Sequence, residues 1–555
     1  MPKTVLIGLD GATFEMLDPM IETGRLPVLR HLLRDGARGV LESTIPPVTC
    51  PAWPTMYTGR NPGAHGFTSF RILEADRLAY RSVKLQDVAC PRLWTILNRA
   101  GVRTGIFNVP ATYPAEPLEG FMLSGFVTPP RAPEVLQPVR LREEFARAFP
   151  RYDCNAIHEG ALFNRRSKRR RLIARLGETL EVRMAALEWL LEREPVDFLW
   201  VVLETVDRLS HYAYALLAPN SDLYGTAEGK EARQWALALL EQQDRALGRI
   251  LDRMGPDPTV LVASDHGFNW TPRCFDLHGY LESRGLLVPA RPNAGRWLKS
   301  LLRSTVAKVA GQAVWIRASY RRKEARETRG QNVLTGVTWD WRRSKTWLGA
   351  VMEYGVQINS RRYRGPEGLV TGDEYEEVRA TIVEGLRGLG DPVSGGPIFD
   401  RVARREDLYS GAFVKRAPDV LFLPRRHVMH SISPGRGGRE ADGWLVPASG
   451  LVMQAGHDKN GVFAATGAAF RTGDLPRMGI LDVLPTLLYA MGLPVRADLE
   501  GEVARDAFTP QYLASCRVER VQETEKASPP TSAGDAYTPE DEEAIRKQLE
   551  ELGYL

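Results

Sequence analysis

The chain has 555 residues, of which 43% are hydrophobic and 25% are charged, and its formal net charge is +5. This composition is typical of a globular protein and excludes a disordered, collagen-like or coiled-coil chain. A charge of +5 over this length is mild, so it gives no indication of nucleic-acid binding. The chain is also long enough to bury a large core without metals or disulfides.

The cysteines and the hydropathy of the chain indicate the cellular compartment in which the protein is expected. Five widely spaced cysteines without a C-x-x-C pair favour a reducing compartment over a disulfide framework or a thiolate zinc site. The N-terminus lacks the features of a signal peptide, and the longest apolar run, Phe198 to Leu203, is too short to span a bilayer. We therefore expect a soluble cytoplasmic protein with no transmembrane segment.

Short apolar segments alternate with amphipathic stretches over the first 288 residues. Buried strands are predicted at Val5–Leu9, Thr104–Phe107, Phe198–Leu203 and Thr259–Ala263. Helices are predicted between them, at Leu26–Arg34, Pro91–Ala100, Arg175–Glu192 and Glu231–Met254. This alternation predicts an α/β fold with a mostly parallel central sheet, helices on both faces, and chemistry at the carboxyl ends of the strands.

The remaining segments differ from one another in composition and pattern. We predict a core at 1–288 and 431–515, a basic helical insertion at 289–345, a smaller α+β cap segment at 346–430, a linker at 516–537 and a C-terminal amphipathic helix at 538–555. The basic insertion is either a solvated helical segment or a surface for anionic substrates or lipid headgroups. The C-terminal helix is expected to dock on its own chain or on a partner, including a second copy.

A second basic run lies at 165–171. It has no interleaved aromatic side chains for base stacking, so it predicts the exposed start of a helix, and no nucleic-acid partner is expected.

Polar side chains that are typical metal ligands follow three of the predicted strands. Asp10 comes directly after the first strand, and Asp207 and His211 follow the third at the i, i+4 spacing of one helix face. Asp265 and His266 follow the fourth strand, where a bend at the next residue, a glycine, would let both reach one centre. Each set taken alone could also be a turn or a structural ion pair.

Two further segments carry candidates. His457 lies in a loop before a predicted strand, a position where a lone histidine is usually structural. Thr49 and Cys50 lie just before a helix predicted at 53–58, next to the free N–H groups and positive dipole end that attract an oxyanion. The Thr49 hydroxyl could instead be a helix cap.

Together these residues supply three Asp, three His and one hydroxyl. That set suffices for two divalent metal ions, each with about three protein ligands and open positions. Nitrogen and oxygen donors without cysteine favour zinc, with manganese as the alternative. Two cations can stabilise the entering and leaving oxygens of an in-line displacement at phosphorus.

The order and spacing of these motifs resemble the type I phosphodiesterase and nucleotide pyrophosphatase family of the alkaline phosphatase superfamily. The matching segments are Leu9-Asp10-Gly11, Thr49-Cys50-Pro51-Ala52-Trp53, Thr58-Gly59-x-Asn61-Pro62-Gly63-x-His65-Gly66, Asp207-Arg208-x-x-His211, Ser264-Asp265-His266-Gly267, Gly456-His457, His278–Leu287, Asp482-Val483-Leu484-Pro485-Thr486 and Leu552-Gly553-Tyr554-Leu555. The resemblance covers most of residues 1–515.

The resemblance implies an alkaline-phosphatase-like core and a specific assignment of roles. The implied metal ligands are Asp10, Thr49, Asp265 and His266 in one site, and Asp207, His211 and His457 in the other. Thr49 is the implied nucleophile, which forms a phospho-threonine, and the N–H of Cys50 is implied to bind a non-bridging oxygen. Ala52 stands where nucleotide pyrophosphatases of this type carry an asparagine that binds a phosphate oxygen. His65 and His278 are expected to be structural, the latter by capping or packing its helix.

We therefore predict a two-metal phosphodiesterase that acts on a phosphoester small molecule or a lipid headgroup. The alternatives are a phosphomonoesterase, phosphonate hydrolase or phosphomutase with the same bimetal core, and, in another class, a non-catalytic binding protein on this scaffold. A formylglycine sulfatase is disfavoured because Cys50 lacks the Cys-x-Pro-x-Arg context. The chain also lacks the G-x-S-x-G and P-loop motifs of serine hydrolases and nucleotide-binding enzymes.

Overall fold

A computed structural model gives the architecture of most of the chain. It describes residues 1–74, 79–130, 132–155, 166–290, 339–340, 342–349, 351–361, 368–431, 444–447, 454–522, 537–551 and 554. Most of the predicted basic insertion and linker, and Leu552, Gly553 and Leu555, lie outside the described residues.

A ten-stranded sheet forms the centre of the fold. Its strands, in chain order, are β1 (Thr4–Leu9), β2 (Ala37–Glu42), β3 (Thr104–Val109), β4 (Gly120–Ser124), β5 (Leu136–Gln137), β6 (Phe198–Leu203), β7 (Thr259–Ala263), β8 (Asn460–Thr466), β9 (Gly473–Asp474) and β10 (Met478–Gly479). Their spatial order is β9-β2-β8-β7-β1-β6-β3-β4-β5, with β10 beside β2. The run β7-β1-β6-β3-β4 is parallel, whereas β8 is antiparallel to both of its neighbours and β5 is antiparallel to β4.

Helices surround this sheet. They are α1 (Phe14–Ile21), α2 (Pro27–Arg34), α3 (Thr49–Thr58), α4 (Pro62–His65), α5 (Leu93–Arg99), α6 (Arg142–Ala148), α7 (Arg166–Arg193), α8 (Thr205–Leu217), α9 (Ala227–Leu251), α10 (Leu277–Ser283), α11 (Asp373–Arg387), α12 (Arg405–Leu408), α13 (Val483–Ala490), α14 (Pro510–Ser515) and α15 (Pro539–Glu551). Within the described ranges, no helix is both long and apolar enough to cross a bilayer.

The central strand β1 shows why the sheet is covered on both faces. Successive side chains of a strand point to opposite faces, and all six residues of β1 are buried. Val5 and Ile7 belong to a core cluster with residues of α2, α8 and α9, and Leu6 belongs to a second cluster with residues of α3 and α13. The predicted α/β class, with a mostly parallel sheet between helical layers, is confirmed.

Shorter strands lie outside the central sheet. They are Arg71–Glu74 with Ala79–Ser82, Gly267–Trp270 with Ala455–Asp458, Arg273–Asp276 between Val428–Ser431 and Leu445–Pro447, Val495–Arg496 with Arg520–Val521, and a four-stranded sheet in the order Thr346–Trp347, Gly355–Ile358, Val420–Pro424 and Phe399–Arg404. Helix α11 packs against this four-stranded sheet.

Two histidines outside the metal motifs have packing roles. His65 is fully buried and its Nε2 lies 2.9 Å from Thr55 Oγ1, so it links α3 to α4. His278 does not cap α10, because the Asp276 side chain accepts the hydrogen bond from Gly279 N there. Instead the His278 ring stacks on Trp339 with ring centroids 5.0 Å apart.

Helix α15 docks on its own chain, which settles one alternative left open by the sequence. Ile545 and Leu549 are fully buried and belong to the same core cluster as Leu6. The Glu542 carboxylate accepts hydrogen bonds from Ser82 N at 3.0 Å and Ser82 Oγ at 2.7 Å, which ties the helix to the Arg71–Ser82 hairpin. The C-terminal segment is thus part of the folded body.

Shortening Leu549 tests this docking. Leu549→Ala removes buried methyl groups from the helix face, a change that costs about 2–5 kcal/mol at well-packed sites. We expect faster amide hydrogen exchange throughout α15 in this variant. Lys547→Ala, an exposed position on the same helix, is the matched control and should leave exchange unchanged. Equal exchange in both variants would contradict the docking.

Candidate functional site

Most of the predicted ligands lie at the carboxyl edge of the parallel strands. Asp10 follows β1, Asp207 lies in the first turn of α8 after β6, and Asp265 and His266 follow β7. Six side chains form two groups: the first group is Asp10, Asp265 and His266, and the second group is Asp207, His211 and His457. Within each group the ligand atoms lie within 4.8 Å of one another.

His457 reaches the site on a separate antiparallel pair of strands. Gly267–Trp270 pairs with Ala455–Asp458, so that His457 lies opposite Phe268. The rings of His457 and His266 stack with centroids 3.7 Å apart, which brings the two groups together. Sequence spacing gave no sign of this pairing, because more than 180 residues separate the two strands.

In the first group, three donor atoms face a common point. His266 Nε2 lies 3.2 Å from Asp265 Oδ2 and 3.8 Å from Asp10 Oδ1. The other oxygens of the two carboxylates are held from outside: Trp53 Nε1 donates to Asp10 Oδ2 at 3.3 Å, and Gly11 N donates to Asp265 Oδ1 at 3.2 Å. Each carboxylate therefore has one oxygen fixed by the fold and one oxygen directed at the group.

The second group repeats this arrangement. Asp207 Oδ1 lies 3.4 Å from His211 Nε2 and 3.9 Å from His457 Nε2, and the two Nε2 atoms are 3.2 Å apart. Asp207 and His211 are one turn apart on α8, as the i, i+4 spacing predicted. The spacing therefore correctly placed both side chains on one helix face.

Two of the histidines are oriented through their other ring nitrogen. His457 Nδ1 lies 2.9 Å from Pro47 O, and His266 Nδ1 lies 3.1 Å from Gly267 O. A carbonyl oxygen only accepts, so each Nδ1 carries the proton and each Nε2 presents a lone pair to its group. Neutral imidazoles held in this way are the usual histidine ligands of metals.

The carboxylates provide the test of whether these groups fit metal ions. Asp10 Oδ1, Asp265 Oδ2 and Asp207 Oδ1 are buried, and none accepts a hydrogen bond from a described residue. These are the same oxygens that face the histidine nitrogens. An unpaired buried carboxylate oxygen is costly, and a cation beside it removes that cost. Both groups therefore fit divalent metal ions.

Electrostatics support the same interpretation. Burial raises the pKa of Asp10, and the Asp265 and Asp207 carboxylates raise it further. Burial also raises the pKa of Asp265. The pKa of Asp207 would rise on burial too, but His211 and Arg208 bring it below its usual range. In the first group, Arg208 and His266 offset only part of these effects, since the pKa values of Asp10 and Asp265 both stay raised.

Thr49 is the first residue of α3 and lies against the first group. Its Oγ1 is 3.2 Å from His266 Nε2. The N-cap of α3 is Val48, and no side chain caps this end, so the cap alternative for the Thr49 hydroxyl is wrong. The helix starts at Thr49 and not at the predicted residue 53, which places the Cys50 N–H among the first-turn amides without an intrahelical acceptor.

Two glycines keep the site compact. Gly11 has φ +67, and a Cβ on it would lie 2.9 Å from Asp207 Cα, so the end of β1 approaches α8 too closely for a side chain. The chain bends at Asp265, so that Asp265 and His266 both reach the first group as expected, and Gly267 follows this bend without a positive φ. A Cβ there would lie 2.1 Å from Asn460 O, so Gly267 is needed for close strand contact.

Sequence reasoning missed residues that surround the second group. Arg208, Glu204 and Tyr554 are all nearly fully buried. Arg208 contacts Asp207 at 3.4 Å and Glu204 at 3.6 Å, and the Tyr554 hydroxyl lies 3.1 Å from His211 Nε2. Arg208 follows a predicted ligand directly, which was an available signal. For Tyr554, the only available signal was that it lies in Leu552-Gly553-Tyr554-Leu555, one of the segments that resemble the family.

An α/β sheet whose carboxyl edge carries two Asp/His groups beside a hydroxyl defines a metal-dependent phosphoester hydrolase of the alkaline phosphatase superfamily. The family model for type I phosphodiesterase / nucleotide pyrophosphatase matches residues 4–441, and the chain belongs to this family. The resemblance deduced from the motifs is therefore confirmed. No curated protein sequence matches the chain significantly.

Solved structures with low sequence identity were also found. Human ectonucleotide pyrophosphatase/phosphodiesterase 5 is 14% identical, with 92% of this chain and 99% of that chain covered and a TM-score of 0.43. Phosphonoacetate hydrolase from Sinorhizobium meliloti 1021, in complex with phosphonoformate, is 16% identical, with 87% and 94% covered and a TM-score of 0.45. The murine ectonucleotide pyrophosphatase/phosphodiesterase 5, inactive and in complex with AMP, is 13% identical, with 92% and 100% covered and a TM-score of 0.45.

Metal removal tests the two groups directly. A cation at 100 times its dissociation constant stabilises the folded protein by about 2.7 kcal/mol, so we expect chelation to lower Tm and divalent cations to restore it. Asp207→Asn should reduce bound metal from two ions per chain to one, as measured by elemental analysis. Asp244→Asn is the matched control, since that buried carboxylate accepts hydrogen bonds from Val28 N and Leu29 N instead. Two ions in Asp207→Asn would remove Asp207 from the ligand set.

Proposed function

We propose that the chain is a two-metal phosphodiesterase that works through a covalent phospho-threonine on Thr49. The observation that carries this proposal is the position of the Thr49 hydroxyl, at the start of α3 and 3.2 Å from His266 Nε2. A threonine hydroxyl is a weak nucleophile at neutral pH and needs activation. A metal ion held by the first group would activate the Thr49 hydroxyl, because this hydroxyl lies against that group.

The residues divide the work between holding ions and acting on the substrate. The first group and Thr49 would hold one ion, and the second group would hold the other. Bound ions would supply Lewis-acid stabilisation of the oxygens on phosphorus and lower the pKa of the hydroxyl. Neutral His457, whose pKa is lowered by burial and by His266 and His211, is ready to ligate without losing a proton.

The chain's own groups then account for the covalent steps. Thr49 Oγ1 releases its proton to solvent and attacks phosphorus in line with the leaving ester oxygen. A new P–O bond to Thr49 forms as the bond to the leaving oxygen breaks, and that oxygen takes up a proton from solvent to give the alcohol. The Cys50 N–H, at the positive end of α3, donates to a non-bridging oxygen of phosphorus. Water then attacks the phospho-threonine, releases the phosphate monoester and restores the Thr49 hydroxyl.

Zinc is the proposed metal, with manganese as the alternative. Each group supplies only carboxylate oxygen and imidazole nitrogen, a donor set that suits zinc and disfavours calcium and magnesium. We also propose a cytoplasmic location, supported by the five cysteines, all of which are free thiols.

The substrate is proposed to be a small phosphodiester or a lipid headgroup. Ala52 lies buried in the first turn of α3, and its methyl group offers no donor to a phosphate oxygen. This absence gives no support to a nucleotide as the preferred substrate. Monoesters and phosphonates are the alternatives with the same core, and a panel of diester, monoester and phosphonate compounds compared by kcat/KM distinguishes them. We expect the diester to be turned over fastest.

Removing the Thr49 hydroxyl tests the nucleophile. Thr49→Ala should reduce turnover of bis-p-nitrophenyl phosphate by about 10³-fold or more, because the covalent route is lost. Thr49→Ser keeps a hydroxyl and should retain part of the activity. Thr58→Ala removes a hydroxyl from the same helix that donates to Pro54 O and accepts from Arg60 N, outside both metal groups, and it should retain full activity.

Two outcomes would contradict the proposal in different ways. Unchanged turnover in Thr49→Ala, with metal content retained, would remove Thr49 from the mechanism. A wild type that binds both ions yet turns over neither diesters, monoesters nor phosphonates would favour the non-catalytic binding protein.

A further inference from the structure

Tyr554 follows helix α15 near the end of the chain, and its side chain lies in the candidate active site. The Tyr554 hydroxyl is 3.1 Å from His211 Nε2 and 3.4 Å from Arg208 Nη1. The residue is 1% exposed. A phenolic hydroxyl can both donate and accept a hydrogen bond at neutral pH. Tyr554 therefore brings a neutral hydroxyl to the second group.

The hydrogen-bond capacity of this hydroxyl is only partly used once the second group holds a metal ion. Arg208 Nη1 donates to the phenol oxygen, so the phenol proton needs an acceptor elsewhere. His211 Nε2 lies 3.1 Å from the hydroxyl, but the lone pair of this nitrogen is the one that a metal ion would take. The Tyr554 O–H is then a buried donor without a partner, a costly state unless another oxygen accepts its proton.

Arg208 has a similar unused capacity. Its Nε is buried and donates to no described residue. Its guanidinium lies over the Phe126 ring, 4.6 Å from the centroid, and contacts Asp207 at 3.4 Å. The cation and the neutral phenol thus lie side by side at the second group, a pairing that suits an anionic phosphoester.

Two phenylalanine rings contact the Tyr554 ring. It stacks on Phe70 with ring centroids 4.7 Å apart, and its centroid lies 5.9 Å from the centroid of the Phe126 ring. Upstream, Tyr537 stacks on Tyr113 and donates to Val83 O at 3.1 Å. With α15 anchored through its buried face, Tyr554 belongs to a fixed wall of the site and not to a loosely attached lid.

We propose that Tyr554 is a substrate-contacting residue, whose hydroxyl, supported by Arg208, donates a hydrogen bond to an oxygen of the phosphoester at the second group. This inference rests on the proposed function, since it names a further contact of the same site. It gives the C-terminal segment a role in the reaction: α15 and the stack on Phe70 position one phenol. It also assigns Arg208 as the positioning residue for that phenol.

Two matched variants of the full chain test the proposal. Tyr554→Phe keeps the ring and its stack on Phe70 and removes only the hydroxyl. Tyr537→Phe removes a buried hydroxyl from the same segment, where it bonds Val83 O and not the site. Both are compared with the wild type by metal content, Tm, kcat and KM for bis-p-nitrophenyl phosphate, and the Kd for inorganic phosphate by calorimetry.

A hydrogen bond to a charged oxygen predicts a loss of about tenfold or more in kcat/KM for Tyr554→Phe. Its Kd for inorganic phosphate should rise severalfold, while its metal content and Tm match those of Tyr537→Phe. Tyr537→Phe should keep kcat/KM and phosphate affinity within about twofold of the wild type.

Several results would overturn the proposal. Wild-type values of kcat/KM and phosphate affinity in Tyr554→Phe would show that the phenol contacts no substrate. Faster turnover in that variant would show that the phenol blocks the site. Equal losses in both variants together with a lower Tm would show a structural role only. In these three cases the wild type is active and the proposed function stands, whereas a wild type that neither turns over esters nor binds phosphate would overturn both.

Discussion

The candidate site depends on an excess of buried negative charge at the carboxyl edge of the central sheet. Three buried aspartates converge there, and burial together with neighbouring carboxylates raises the pKa of Asp10 and of Asp265. Protein cations meet only part of this charge, since Arg208 lies beside Asp207 in the second group. Divalent ions at the two groups would supply the positive charge that these three carboxylates lack. Under the proposed mechanism, the same ions would also favour an ionised Thr49 hydroxyl.

The rest of the fold serves to hold these charges in place. Parallel strands β7, β1 and β6 end side by side, so three segments far apart in sequence deliver their ligands at one edge. Four of the six candidate ligands are fixed by a second contact: Trp53 and Gly11 hold the aspartates of the first group, and backbone carbonyls orient His266 and His457. Such supporting contacts are what give metal ligands their geometry.

Local sequence patterns were sufficient to predict much of this arrangement. The strands at Phe198–Leu203 and Thr259–Ala263 were predicted at their observed bounds, because both are short apolar runs between polar turns. The sheet class and the common helix face of Asp207 and His211 followed from periodicity. The family was deduced from motif order, although each motif alone has a simpler structural explanation.

Other features depend on contacts that no local pattern encodes. The start of α3 was misplaced by four residues, because the two prolines in its first two turns, Pro51 and Pro54, obscure the helix pattern. The bend before Gly267 was expected, but the close approach of the Asn460 carbonyl, which excludes a side chain at Gly267, was not. Tyr554 and His211 are in contact although they are 343 positions apart in the sequence. This contact arises because α15 docks on the core. The amphipathic pattern of α15 predicts that the helix docks, but it does not show on which surface.

The distribution of ligands along the chain has a consequence for biosynthesis. His211 and His457 are 246 positions apart, so the second group cannot close until nearly the whole core has left the ribosome. The first group can form earlier, since its last member is His266. A nascent chain thus completes the donors of the first group before those of the second, and a truncated product ending before His457 would retain only one complete set of donors.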